Sequence, residues 1–174
     1  MDSFGKIIVF FILAMLLFLV PSYYFALKQD MIVQNYVNKE TTDFVNTIKN
    51  TGQITKNTYN LFIKKLDVTN NVYDIKMTHQ HEIVNPLEGD EPLDNNDDTE
   101  NKIFEEYYNT YEDDILKELF EGSGVYKLSK DDYITVTVRN RSRTLASRIQ
   151  NSLGIHGDSV IYVTYGGVIR DEVK

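Results

Sequence analysis

The chain has no cysteine, no tryptophan and only three prolines among 174 residues. Without cysteine there is neither a disulfide nor a thiolate metal centre, so a folded domain must hold itself together by its core alone. Arginine is scarce and late, with all five beyond residue 138. The net charge is −8, and the shortage of positive charge is local. Residues 86–121 hold fourteen acids and two lysines, a net of −12, so the remainder carries +4. Phosphates would be repelled, and nucleic acid is not expected as a partner. G-x-S-x-G, H-E-x-x-H and phosphate-loop motifs are all absent, and Gly166-Gly167 alone is far short of a dinucleotide fingerprint. We therefore expect no enzyme, no catalytic residue and no cofactor. The twelve tyrosines and nine phenylalanines fit core and contact surface.

Charge is absent from one further place. Ile7 to Leu27 carries no charged side chain and is fenced by Lys6 and Lys28. At 1.5 Å per residue such a helix matches a hydrocarbon layer of ~30 Å. The run is longer than the 7–15 apolar residues usual for a signal peptide, and cutting after Ala26 would put Tyr24 at −3, where a small residue belongs. A retained signal anchor is expected. The organisation is then a short tail (1–6), a transmembrane helix (7–27), its helical extension (28–50) and an extracytoplasmic head (51–174). Lys6 and the free amine oppose Lys28, Lys39 and Lys49, which leaves orientation nearly balanced. A short amino-terminal tail before a single span favours the head outside the cytoplasm.

Beyond the span, Val33, Val37, Phe44 and Ile48 fall on one stripe of a continuing amphipathic helix that would meet partner helices. Pro21 should kink it, and Thr51-Gly52 should end it. Thr55 caps a second helix with a Tyr59, Phe62, Ile63, Leu66 face. Asn70-Asn71 turns into an alternating strand over 72–84. Residues 85–101 read as an exposed acidic loop. A third helix is expected with Phe104, Tyr108, Tyr111, Ile115 and Leu119 as its stripe. The last third reads as strand (Ile134, Val136, Val138), helix capped by Ser142 with Leu145, Ile149 and Leu153 inward, then strand 160–165 bent by Gly166-Gly167. The class is α+β: a small, mostly antiparallel sheet with helices on one face, ferredoxin-like or pilin-like.

Three groups could carry a site. Asp94, Asn96, Asp98, Glu100 and Glu105 have the offsets of a calcium loop, but Thr99 stands where the sharp turn needs Gly and Asn101 where an apolar residue belongs. His79 and His81 share one strand face and could hold zinc, but Glu82 points away and no third ligand is evident. The solvated loop and the rim of an apolar face are the readings taken, so no metal is expected. Arg139, Arg141, Arg143 and Arg148 form a basic patch suited to carboxylates of the acidic segment, to lipid headgroups or to plain solvent.

An apolar amino-terminal helix with a proline at 21 and an α+β head resembles pilin-like proteins. Gly52-Gln53-Ile54-Thr55, Tyr59, Leu66, Asn71-Val72-Tyr73-Asp74-Ile75 and Tyr165-Gly166-Gly167 are similar to small anchored proteins of the tight-adherence (TadE/TadF-like) pilus systems of Gram-positive bacteria. The resemblance implies a helix that packs in the membrane or at a filament centre. Its partners would be the membrane and other anchored pilus-assembly subunits, or further copies of this chain, at the bacterial cell surface. Pilin precursors carry a basic leader ending in Gly and a Glu at the fifth mature position. Here Gly5 follows no Lys or Arg, and the fifth residue after it is Phe10. A minor or accessory subunit is the expectation, with a membrane-tethered ligand or ion sensor as the alternative.

Overall fold

In the computed structural model, which describes residues 3–84, 105–155 and 160–170, a single helix α1 (Ser3–Thr51) runs through Pro21 without interruption. Pro21 has no N–H to give the Leu17 carbonyl, yet the flanking turns carry the element across. Gly52, at φ 62°, then accepts the left-handed conformation that ends it, its N–H bonding the Ile48 carbonyl at 2.8 Å. The order continues β1 (Gln53–Thr55), α2 (Lys56–Asp67), β2 (Tyr73–Val84), β3 (Glu105–Tyr111), α3 (Glu112–Phe120), β4 (Val125–Lys127), β5 (Tyr133–Asn140), α4 (Leu145–Ser152) and β6 (Tyr162–Val168). β1 and β4 form a two-stranded antiparallel sheet, and four strands form a second sheet ordered β3-β2-β5-β6. β2 and β3 pair antiparallel from Thr78–Tyr111 to Val84–Glu105. The β5–β6 contacts, Asn140 with Ile161 and Thr137 with Thr164, descend on one strand as they rise on the other, so this pair is antiparallel too. The class is α+β, a long apolar helix followed by antiparallel sheets with helices.

The chain divides into two compact units. The first comprises 1–41, 61–75 and 137–164. Its core is Val37, Phe62, Leu66, Ile75, Val138, Ala146, Ile161 and Val163. Here the edge strand β6 is met by a side chain that imitates a strand. Gln34 donates to the Tyr162 carbonyl at 2.8 Å and accepts from its N–H at 3.2 Å. Buried Glu40 accepts from Lys65 at 2.6 Å and from Lys39 at 3.1 Å. The Lys65 hydrogen bond, outweighing burial, holds its carboxyl below the usual range. The second unit comprises 42–60, 76–136 and 165–174. Its core is Phe44, Val45, Ile48, Ile54, Tyr59, Met77, Ile115, Leu119, Leu128, Ile134, Val136 and Ile169. Each fully buried aliphatic of this kind contributes roughly 1.5–3 kcal/mol.

Several expectations hold. The Thr55 hydroxyl accepts from Thr58 N–H at 3.1 Å, and Asn70 turns the chain at φ 55°. Gly154, at φ 73°, closes α4 with its N–H on Asn151 and the Ile155 N–H on Gln150, a paired C-terminal cap.

Others are corrected. The single helix expected over 104–119 is β3 followed by α3. Tyr107, Tyr108, Thr110 and Tyr111 favour a strand, β2 offers the pairing partner, and Tyr108 and Tyr111 stand exposed. The helix starts at Glu112 with no side-chain cap, and Glu112, Asp113 and Asp114 face its positive end instead. The cap of α4 is Thr144, which accepts from Ser147 N–H. Ser142 is diverted to Asn71, donating at 3.1 Å. The buried side of α4 is Ala146 and Ser147, while Leu145 and Leu153 are about half exposed. Gly166 and Gly167 lie inside β6. A Cβ on Gly166 would come within 2.7 Å of the Ile134 carbonyl, so the glycine serves close strand approach and not a bend. β1 and β4, three residues each, lie below the length that alternation can reveal.

Candidate functional site

Alternation along β2 sends Ile75, Met77 and His79 to one buried face, and His81 follows two residues on. The chain returns to these rings after β4. Asp131, at φ 71°, lets a tight turn form over 129–132, and Asp132 locks it by accepting from Ser129 N–H through Oδ2 at 2.7 Å. The Asp132 carboxylate is thereby buried between the two imidazoles. His79 Nε2 lies 2.8 Å from Oδ2 and His81 Nδ1 lies 2.5 Å from Oδ1. The other nitrogen of His79 lies 2.7 Å from the Tyr126 hydroxyl, whose ring stands edge-on at 5.7 Å.

The proton positions follow from these contacts. An ionised carboxylate only accepts, so both rings carry their N–H toward Asp132. His79 Nδ1 then accepts a hydrogen bond from the Tyr126 hydroxyl. Burial pushes the Tyr126 hydroxyl above its ordinary range and the Asp132 charge adds to this, against a lowering Thr110 hydrogen bond, so the phenol stays protonated. The result is a buried line, Tyr126–His79–Asp132–His81, that opens to solvent at His81, whose side chain is 45% exposed. It can store and orient protons, and its three ligand-type groups could hold a divalent cation.

Sequence reasoning found His79 and His81 but not Asp132, which lies 51 residues from His81 in the chain. Only the turn at Ser129–Asp132 brings it in. The calcium-spaced residues Asp94, Asn96, Asp98 and Glu100, and loop 85–101 as a whole, lie outside the described residues. Glu105 opens β3, paired with Val84. Arg139, Arg141, Arg143 and Arg148 are all exposed.

The expected partner-facing stripe is corrected. Val37, Phe44 and Ile48 are at most 5% exposed, and Val33 is half-buried. Phe44 packs against Tyr59, with ring centroids 6.5 Å apart. The same periodicity that would face a second chain faces this chain's own core, and a sequence pattern does not distinguish the two. The uncovered apolar surface lies earlier: Phe4, Ile7 to Leu13, Met15 to Phe18, Val20, Tyr24 and Phe25 are all exposed. This is the one helix among the described residues long and apolar enough to cross a membrane.

No family model, no curated protein and no solved structure matches this chain.

Proposed function

We propose that this chain is a non-enzymatic, single-pass membrane protein whose head lies outside the cytoplasm. It would serve as a pilin-like or accessory subunit of a surface filament of the tight-adherence kind, or of a secretion assembly. One observation carries the reading: α1 is a single 49-residue helix whose large apolar side chains are exposed almost throughout from Phe4 to Phe25, whereas one face further along, Val37, Thr41, Phe44, Val45 and Ile48, is buried. An uncharged run left largely uncovered by its own chain from Ile7 to Phe25 requires lipid or other helices around it.

In this reading a contact within the first unit supports a position of part of the head near the bilayer. Gln150 of α4 donates to the Tyr23 hydroxyl at 2.6 Å. Tyr23 lies five residues before Lys28, about 7.5 Å along the axis. That offset matches the ~5–10 Å to which interfacial helices sink. Leu153 and Ile155, exposed just after α4, would enter the headgroup layer, with Arg143 and Arg148 available to lipid phosphates.

The test is the intact mass of the chain from native membranes and from material sheared off whole cells, with protease accessibility of the head on intact cells. A full-length chain held in membranes supports an anchored accessory. A chain beginning at Lys6 in the sheared fraction supports a filament subunit. A chain found free of both fractions, or a head protected on intact cells, sinks the reading.

A further inference from the structure

We infer that His79, His81 and Asp132 form a zinc site. The inference does not depend on membrane anchoring or assembly. His79 Nε2, His81 Nδ1 and a carboxylate oxygen of Asp132 all lie within 4.8 Å of one another. Zinc bonds of about 2.0–2.1 Å in tetrahedral array set donor atoms about 3.3 Å apart. Each imidazole nitrogen now lies closer than that to its own carboxylate oxygen, 2.8 Å to Oδ2 for His79 and 2.5 Å to Oδ1 for His81, and the three donors fall within 4.8 Å of one another. Shifts of about an ångström therefore suffice, and the half-exposed ring of His81 is free to make the larger one.

Two imidazoles and one carboxylate are the donor set of zinc sites that keep a fourth position for water. Hard cations such as Ca²⁺ and Mg²⁺ want six or more oxygens, which this pocket does not offer. The surroundings complete the case. A metal-bound imidazole donates its other N–H to a fixed acceptor, and Tyr126 already stands 2.7 Å from His79 Nδ1. On zinc binding the His79 proton moves from Nε2 to Nδ1 and is donated to the Tyr126 oxygen. The Tyr126 hydroxyl then donates to Thr110, with which it is already hydrogen-bonded. His81 moves its proton to Nε2, on the solvent side. Both rings stay neutral, no proton is lost from them, and the cation replaces two hydrogen bonds to Asp132 with coordinate bonds. Water reaches the fourth position from the His81 side. Such a site would clip β2 to the turn before β5 within the second unit, so its first consequence is stability.

The experiment uses the untagged full chain in detergent micelles, titrated calorimetrically with zinc chloride and separately with calcium and magnesium chloride. Wild type is expected to bind one zinc per chain. Its melting temperature should rise by roughly 5–10 °C at free zinc a hundred times Kd. His81→Ala removes a half-exposed ring and so leaves the fold intact; it should weaken binding by roughly 100-fold or more and abolish the thermal shift. Asp132→Asn should act in the same direction. Cobalt substitution should give visible bands of four-coordinate geometry in wild type and lose them in His81→Ala. Absence of zinc binding by wild type, zinc binding that survives His81→Ala, or equal binding of calcium at this site would each overturn the inference.

Discussion

Phe44→Ala separates a core residue from a partner contact. Phe44 is 5% exposed and stands edge-to-face with Tyr59, which in turn meets Phe120 at 6.0 Å. Deleting a buried phenyl costs about 3–5 kcal/mol in lost transfer energy and cavity. Of that, ~0.5–1.5 kcal/mol belongs to the ring pair. For a chain of this size each kcal/mol moves the midpoint by about 2–4 °C, so the variant should melt roughly 6–20 °C lower. The control is Phe25→Ala, the same deletion at a ring 71% exposed in this chain, with an expected change within about 0.5 kcal/mol. Thermal unfolding of the full chain in micelles, followed by tyrosine near-ultraviolet dichroism, reads the packing of the head. Phe44→Asp should be worse than alanine, because a carboxylate placed there loses its water. A Phe44→Ala protein that melts within ~2 °C of the parent, yet fails to assemble, would refute the reasoning and return Phe44 to an outer, partner-facing stripe.

Three further outcomes follow from the same contacts. Glu40→Gln should cost about 1–2 kcal/mol at pH 7, a charge-assisted hydrogen bond discounted for the 42% exposure of Lys65. Because the folded carboxyl titrates below its unfolded value, that contribution is complete above the unfolded pKa and fades as pH falls through the folded one. The parent–variant gap in denaturation free energy should therefore be flat from pH 6 to 8 and shrink below about pH 4. Gly166→Ala forces a Cβ to 2.7 Å from a backbone carbonyl and should cost about 1–3 kcal/mol, whereas at Gly167 the near atoms are the end of the flexible Lys49, so Gly167→Ala should cost under about 1 kcal/mol by the same denaturation assay. The absence of native tryptophan makes single insertions clean probes: Ile155→Trp in liposomes should show blue-shifted emission quenched by brominated lipid, while Val72→Trp, at a position 61% exposed, should show neither.

Where an element stands on local chemistry, its outline was readable from the residues. The uncharged run 7–27, the Thr55 cap, the left-handed Gly52 and Gly154 and the alternation of Ile134, Val136 and Val138 each act within a few residues of themselves, so propensity and periodicity suffice. What the tertiary structure decided depends on which surface meets which. Residues 105–111 became a strand because β2 was there to pair with. Ser142 yielded the cap to Thr144 because Asn71 claimed its hydroxyl. The Val37, Phe44, Ile48 stripe turned inward because the chain supplies its own cover. Asp132 reached His79 and His81 because a four-residue turn, held by one left-handed aspartate, closes a separation of some fifty residues that no local pattern encodes. The sequence by itself determined where the apolar anchor lies and which residues can form each element; only the fold, by paying the chain entropy of distant contacts, determined which polar groups share a site.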